Sequence, residues 1–351
     1  MKGNRFLRVP TQPIDVEVDS DIAGLITRMR RVGFQGRKLA EIVDIWTNML
    51  REKRCVIWLG LAGAMIPAGM RKLISYLIQR RMIDVLVTTG ANLYHDTYEA
   101  RGLKHYMGSP NLDDVALRKA KVDRIYDVLG DENRFYDTDK WIEKHLCDRL
   151  DDDTPYSSRE ILETLGEVLY KIAGAQSSIT LDAYKSGIPI YCPALNDSSL
   201  GFSLTFANRR RKRRIIFDGL KDIDETAMIT EKAQMTGVIY LGGGVPKNFI
   251  QQTAVVAGYQ LNRDKSHNYA IQITTDMPVW GGLSGCTFEE AQSWGKISSG
   301  ARMATCYSDI TIALPLVVHA LAQKHRKLSR NVPVFKWTQG NLGMTYRLTK
   351  T

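Results

Sequence analysis

The stretch Cys55-Val-Ile-Trp-Leu-Gly-Leu-Ala-Gly-Ala-Met-Ile-Pro-Ala-Gly69 decides the fold. Its first seven residues are apolar or small and are bounded by charges, which reads as a buried strand. Small residues and a proline follow, and an amphipathic helix is expected over residues 70–81. Strand, glycine-rich turn and helix in that order is the arrangement of doubly wound α/β folds, where a ligand phosphate sits at the helix N-terminus. The spacing is not G-x-G-x-x-G. A nucleotide turn and a turn of small residues chosen for tight helix packing therefore both fit.

Outward from this stretch the same alternation recurs. Asp84-Val-Leu-Val-Thr-Thr89, Gly187-Ile-Pro-Ile-Tyr-Cys192, Thr236-Gly-Val-Ile-Tyr-Leu241, Tyr269-Ala-Ile-Gln-Ile-Thr274 and Ala304-Thr-Cys-Tyr-Ser-Asp309 read as further strands, with helices expected over 161–172 and 311–325. Strands that alternate with helices predict an α/β fold with a mostly parallel sheet and helices on both faces. Upstream, apolar residues at helical spacing over 22–50 predict two helices broken near Gly33-Phe-Gln-Gly36, and residues 1–20 read as an extended arm. The expected organisation is an N-terminal arm with helices over 1–50, then one catalytic domain over 51–351, with no strong linker or internal repeat.

The composition is that of an ordinary globular chain, and no apolar run reaches the length of a membrane span. The polar start, Met-Lys-Gly-Asn-Arg, lacks the apolar region of a secretion signal. The five cysteines are scattered, with no CxxC and no Cys/His cluster, so neither a disulfide framework nor a metal site is expected. A reducing cytoplasm suits such a chain. The net charge of +10 raises the question of an acidic partner. Much of it lies in Arg209-Arg-Arg-Lys-Arg-Arg214, which reads as a contact for an acidic partner or a neighbouring subunit, or as a solvated face. Aromatic residues are not interleaved with it, so it gives little support to nucleic-acid binding.

Candidate functional residues gather at strand ends, where parallel sheets bind ligands. Thr88 and Thr89 end the second strand and Asn92, His95 and Asp96 are expected in the loop that follows it, with His95 either a site residue or structural. Gly242-Gly-Gly244 offers backbone amides to an anion. The most distinctive lysine is Lys296, in Glu289-Glu-Ala-Gln-Ser-Trp-Gly-Lys296 behind the glycine-rich Trp280-Gly-Gly-Leu-Ser-Gly285. An aromatic wall and a nearby carboxylate suit a nucleophilic lysine.

With Ser293-Trp-Gly-Lys-Ile297 preceded by Glu290, Leu241-Gly-Gly-Gly-Val245, Tyr191-Cys-Pro-Ala-Leu-Asn-Asp-Ser-Ser-Leu-Gly201 and Asp84-Val-Leu-Val-Thr-Thr89 in this order, the chain resembles the deoxyhypusine synthase family over about residues 55–320. The resemblance implies a Rossmann-like fold, bound NAD and a homotetramer. It also implies aminobutyl transfer from a polyamine such as spermidine, through an imine on a lysine, to a lysine of a translation-factor precursor or to putrescine. Carried over by position, Lys296 forms the imine, and burial beside Trp294 would favour its neutral amine. Glu290 and Trp294 hold the polyamine. Gly63, Ala64, Thr89, Asp197, Thr275 and Asp309 match cofactor positions.

The departures from the family pattern lie at the amine-binding positions. Asn248 stands where the hypusine-forming enzymes place the histidine that binds and deprotonates the polyamine. Phe202, Trp280 and Leu283 stand at acidic positions. The missing histidine makes His95 the candidate base. Two outcomes are compatible with these changes: a transferase with a different amine donor or acceptor, or an NAD-binding homologue without transfer activity.

Overall fold

The computed structural model describes residues 8–18, 21–172, 174–338 and 340–350. Six strands form one sheet: β1 (Cys55–Leu61), β2 (Val85–Thr88), β3 (Ile190–Tyr191), β4 (Met235–Leu241), β5 (His267–Thr274) and β6 (Ile297–Tyr307). Their order is β6-β5-β4-β1-β2-β3, and every neighbouring pair is parallel. The chain lays β1 in the middle, builds β2 and β3 to one side, and returns to build β4, β5 and β6 on the other. The order therefore reverses between β1 and β4, at the point where such sheets leave a crevice beyond their strand ends.

Side-chain alternation along β1 explains why the sheet needs cover on both faces. Cys55, Ile57, Leu59 and Leu61 enter one apolar cluster, and Val56 and Trp58 enter the other. All seven residues are buried. The first cluster contains residues of α1 (Ile22–Met29), α2 (Phe34–Arg51), α3 (Arg71–Gln79) and α8 (Ile310–Lys324). The second contains residues of α5 (Gly219–Lys232), α6 (Gly244–Leu261) and α7 (Phe288–Ser293). The N-terminal helices expected over 22–50 thus share the core of the sheet. Of the arm expected over 1–20, residues 1–7, 19 and 20 lie outside the described residues, and residues 8–18 form no helix or strand.

Three expectations need correction. The loop expected after the second strand is α4 (Gly90–Ala100), which starts directly at the strand end with Thr89 as its cap. The last strand begins at Ile297 rather than near Ala304. Third, the chain ends in an antiparallel hairpin of β7 (Ser329–Thr338) and β8 (Asn341–Lys350) that the sequence reading did not identify. Arg330 ties this hairpin to the sheet. Its guanidinium donates to Asp84 Oδ2 at 2.8 Å and to the Cys55 carbonyl at 2.8 Å. Arg81 also donates to Asp84, at 3.3 Å, and the carboxylate is fully buried.

The basic run meets its counter-charges within the chain. Arg210 pairs with Glu143, Arg211 with Asp148, Arg213 with Asp152 and Arg214 with Asp153. Arg213 and Arg214 thus pair with the acidic tip Asp151-Asp-Asp153, while Arg210 and Arg211 pair with carboxylates upstream of it.

Candidate active site

A cleft of about 270 Å3 opens at the reversal point. Ala62, Gly63 and Met65 follow β1, Gly242 and Gly243 follow β4, and Thr274, Thr275 and Asp276 end β5. Ser284 faces them from the glycine-rich loop, and Ser308, Asp309 and Ile310 follow β6. Three of the cofactor positions expected from the resemblance, Gly63, Thr275 and Asp309, line it. Thr89 is tied to its edge, because its hydroxyl donates to the Gly63 carbonyl at 2.8 Å. Ala64 sits in the same turn, which Asn92 shapes: its side-chain oxygen accepts from Met65 N–H at 2.7 Å and its amide donates to the Ala62 carbonyl at 3.3 Å. Asp197 is not among the lining residues. It lies exposed in the turn before Ser198, whose side chain packs on Gly90.

The triple-glycine turn differs from the bare anion cradle expected of it. Gly242 N–H donates to the Ile273 carbonyl at 2.8 Å, and Gly244 N–H donates to Ser284 Oγ at 2.9 Å. Gly243 is required for a steric reason. A Cβ there would lie 2.4 Å from Ser284 Cα, so only glycine lets the 277–285 loop close on the turn. Asp309 also has a local duty. As the cap of α8 it accepts from Thr311 N–H at 2.8 Å.

Lys296 owes its position to how α7 begins and ends. Thr287 caps the helix by accepting from Glu290 N–H at 3.0 Å. At the other end Gly295 takes φ +67°, Gly295 N–H donates to the Gln292 carbonyl at 3.0 Å, and Lys296 N–H donates to the Ala291 carbonyl at 3.0 Å. This pair of bonds is the Schellman closure, with glycine in the left-handed position and Lys296 directly after it. The Lys296 side chain runs inward and is 9 % exposed. Its Nζ donates to Asn248 Oδ1 at 3.3 Å and lies 5.5 Å from the Trp294 ring centre. Trp294 itself is 64 % exposed, so it forms a face over the amine rather than the burial expected of it. Phe202, Trp280 and Leu283 are exposed apolar side chains.

Two residues that the sequence reading missed organise this region. Lys247 is fully buried, and its ammonium donates to Gln272 Oε1 at 2.9 Å, the Ser284 carbonyl at 3.1 Å and the Cys286 carbonyl at 2.6 Å. Gln272 donates to the Gly242 and Ser284 carbonyls, each at 2.8 Å. Burial pulls the Lys247 ammonium down to about 8, while Cys286 and Glu290 act to hold it up. Gln272 carried a visible signal as the one amide inside an apolar strand. Lys247 carried none, since a lysine in a first helical turn ordinarily reads as surface.

His95 is not in the strand-end loop expected for it. It lies within α4, and its Nδ1 meets His105 Nε2 at 2.9 Å, while His105 Nδ1 meets Glu99 Oε1 at 2.8 Å. Burial, with help from His105, lowers His95 to about 4, so the ring is neutral near pH 7. Among the described residues no hydrogen bond or ring contact joins it to Lys296. Neither is there a group of three or more His, Cys, Asp and Glu side chains placed to hold a metal.

A family model of deoxyhypusine synthase matches residues 24–321. The chain belongs to the deoxyhypusine synthase family. A probable deoxyhypusine synthase 2 of Methanosarcina mazei is 51 % identical over 96 % of both chains. A probable deoxyhypusine synthase 2 of Archaeoglobus fulgidus is 48 % identical over 88 % of this chain and 99 % of its own. A crystal structure assigned to a deoxyhypusine synthase of Entamoeba histolytica superposes with a TM-score of 0.63 at 19 % identity, over 88 % of this chain and 96 % of that one. The last likeness concerns the fold alone. As a deoxyhypusine synthase relative the chain is an enzyme of the aminobutyl transferase type. The matched residues include both the cleft and Lys296. No described helix is long and apolar enough to cross a membrane.

Proposed function

We propose that the chain is an NAD-dependent aminobutyl transferase in which Lys296 carries the four-carbon unit of a polyamine as an imine. The Lys296 side chain carries this reading. It is nearly enclosed, its amine rests on the neutral oxygen of Asn248, and α6, which holds Asn248, starts at the cleft's triple-glycine turn. The amide oxygen orients the amine beside Trp294 by hydrogen bond.

NAD fits the cleft in kind. The crevice lies at the reversal of a parallel sheet, and its glycine walls bring backbone close to a ligand. Gly63, Thr275 and Asp309 would hold the cofactor, with Ala64 and Thr89 shaping the turn beneath it and Asp197 farther along the strand ends. NAD held there would supply the hydride acceptor for oxidation of the donor's amine-bearing carbon and the hydride source for reduction of the product imine. Lys296 Nζ adds to the oxidised carbon, the departing amine takes a proton, and the carbon stays on Nζ until an acceptor amine displaces it. Glu290 supplies the carboxylate for an ammonium end of the chain, and Trp294 supplies a cation–π face.

For proton removal we assign His95. The Glu99 carboxylate fixes the tautomer of His105, which in turn accepts from His95 Nδ1–H and leaves the His95 Nε2 lone pair free. His95→Gln should slow turnover while NAD affinity stays unchanged, and unaltered turnover would remove His95 from the mechanism.

The acceptor is a protein lysine on a translation-factor precursor or a small polyamine such as putrescine. Donor carrying an isotopic label in its butyl carbons separates the two. Label that ends only in small polyamines excludes the protein acceptor. The exposed Trp280, Leu283 and Trp294 favour a homotetramer that covers them, which light scattering tests directly. The apolar replacements at Phe202, Trp280 and Leu283 also leave an NAD-binding homologue without transfer as the second reading. Tight NAD binding with no adduct on Lys296 for any amine is its signature.

A further inference from the structure

We infer that Lys247 is a positioning residue, whose ammonium holds residues 284–286 against the start of α6 so that the cleft and the Lys296 pocket keep one geometry. This deepens the reading of cleft and lysine as one site and rests on it. Lys247 and Asn248 are consecutive residues of α6. Asn248 receives the Lys296 amine, while Lys247 ties down the segment that reaches the cleft through Ser284 and leads into α7 through Cys286.

All three N–H groups of the ammonium are used, on Gln272, Ser284 and Cys286. Gln272 doubles the grip on the Ser284 carbonyl and joins it to Gly242. Val279, Trp280 and Leu283 just before the segment face outward, so beyond the contact of Cys286 with the second apolar cluster these polar bonds hold it. A Lys247 that acted only as a core filler would not need three polar partners. One that acted as the reactive amine would not have every proton engaged.

The clamp depends on charge, since a neutral amine has two N–H groups for three acceptors. The titratable groups acting on Lys247 are Cys286 in the clamped turn, Glu290 on α7, Lys296 before β6 and Asp276 after β5. Burial opposes the cation, and the clamp is expected to loosen as pH rises through about 8.

Hydrogen exchange of residues 276–287 in the full-length protein tests this, measured at pH 7 and pH 9 and corrected for intrinsic exchange. In the wild type, protection should be high at pH 7 and fall about tenfold or more by pH 9. Lys247→Met, which keeps the volume, should exchange rapidly at both values, with β1 and β4 still protected as evidence of folding. Lys247→Arg, charged at both values, should restore part of the protection and remove its pH dependence. Wild-type protection of 276–287 in Lys247→Met overturns the inference, as does a wild-type profile that does not change between pH 7 and pH 9. Should Lys247→Met fail to fold, the wild-type profile and Lys247→Arg still decide. The exchange assay needs no amine donor. A protein that forms no adduct on Lys296 would thus refute the transferase reading and leave the Lys247 result legible.

Discussion

At the scale of the residue, Lys296 is placed by its backbone neighbours before any side chain touches it. Gly295 must be left-handed for Lys296 N–H to reach Ala291, and a Cβ at 295 would meet no atom within 4 Å. A Gly295→Ala change therefore acts through conformation alone. It should cost about 1–2 kcal/mol in urea unfolding and slow adduct formation on Lys296. An unchanged adduct rate would mean that the turn does not aim the lysine. The sequence carried Lys296 clearly, because a Trp-Gly-Lys turn behind two glutamates is an unusual setting. The amide that receives its amine was legible only through resemblance, since spacing along the chain does not bring residue 248 to residue 296. His95 was misplaced for a related reason. Its segment is polar enough to read as a loop, but Thr89 caps it into a helix, and the His105 contact depends on tertiary folding.

At the scale of the element, the strands at the sheet centre were legible because they are buried on both faces and read as unbroken apolar runs. The hairpin of β7 and β8 was not, because its outer residues are mixed in character and its polar anchors, Arg330 and the Arg81 bond to the Pro333 carbonyl, join residues far apart in the chain. The triple-glycine turn shows how one motif supports two physical readings. Its glycines look like an anion cradle, yet Gly243 admits a neighbouring loop and Gly244 donates to that loop's serine. Gly243→Ala should push the 277–285 loop off the turn and weaken NAD binding about tenfold or more, roughly 1.4 kcal/mol. Titration calorimetry measures this, and wild-type affinity would show that the loop does not shape the cofactor site.

At the scale of the whole molecule, two buried groups set how the fold responds to change. Arg330→Leu leaves the buried Asp84 with the Ile57 N–H at 2.9 Å and the longer Arg81 contact, and loss of one partner from such a buried pair costs about 3–5 kcal/mol. Urea midpoints should show it, and a loss below about 0.5 kcal/mol would mean the hairpin is not anchored there. His267 governs the acid side. It is fully buried, accepts from the Thr236 hydroxyl at 2.8 Å and donates to the Ile250 carbonyl at 3.2 Å, and burial lowers it to about 4. Between pH 6.5 and 4 the unfolded chain binds the extra proton, so stability is fully present above 6.5 and is lost as pH falls through that window. The loss is on the order of 3 kcal/mol, and His267→Asn should flatten the slope. His95 adds to it in the same direction.

These scales meet in one claim, that Lys296 is the group to which the transferred carbon is bound. Incubation with NAD and each of spermidine, putrescine, homospermidine and agmatine, then borohydride reduction and peptide mass analysis, tests it most directly. An aminobutyl-type mass is expected on Lys296 for at least one amine, lost in Lys296→Ala while NAD affinity shifts by less than about 0.5 kcal/mol. Absence of any adduct on Lys296 with all four amines, in protein that binds NAD, would contradict it.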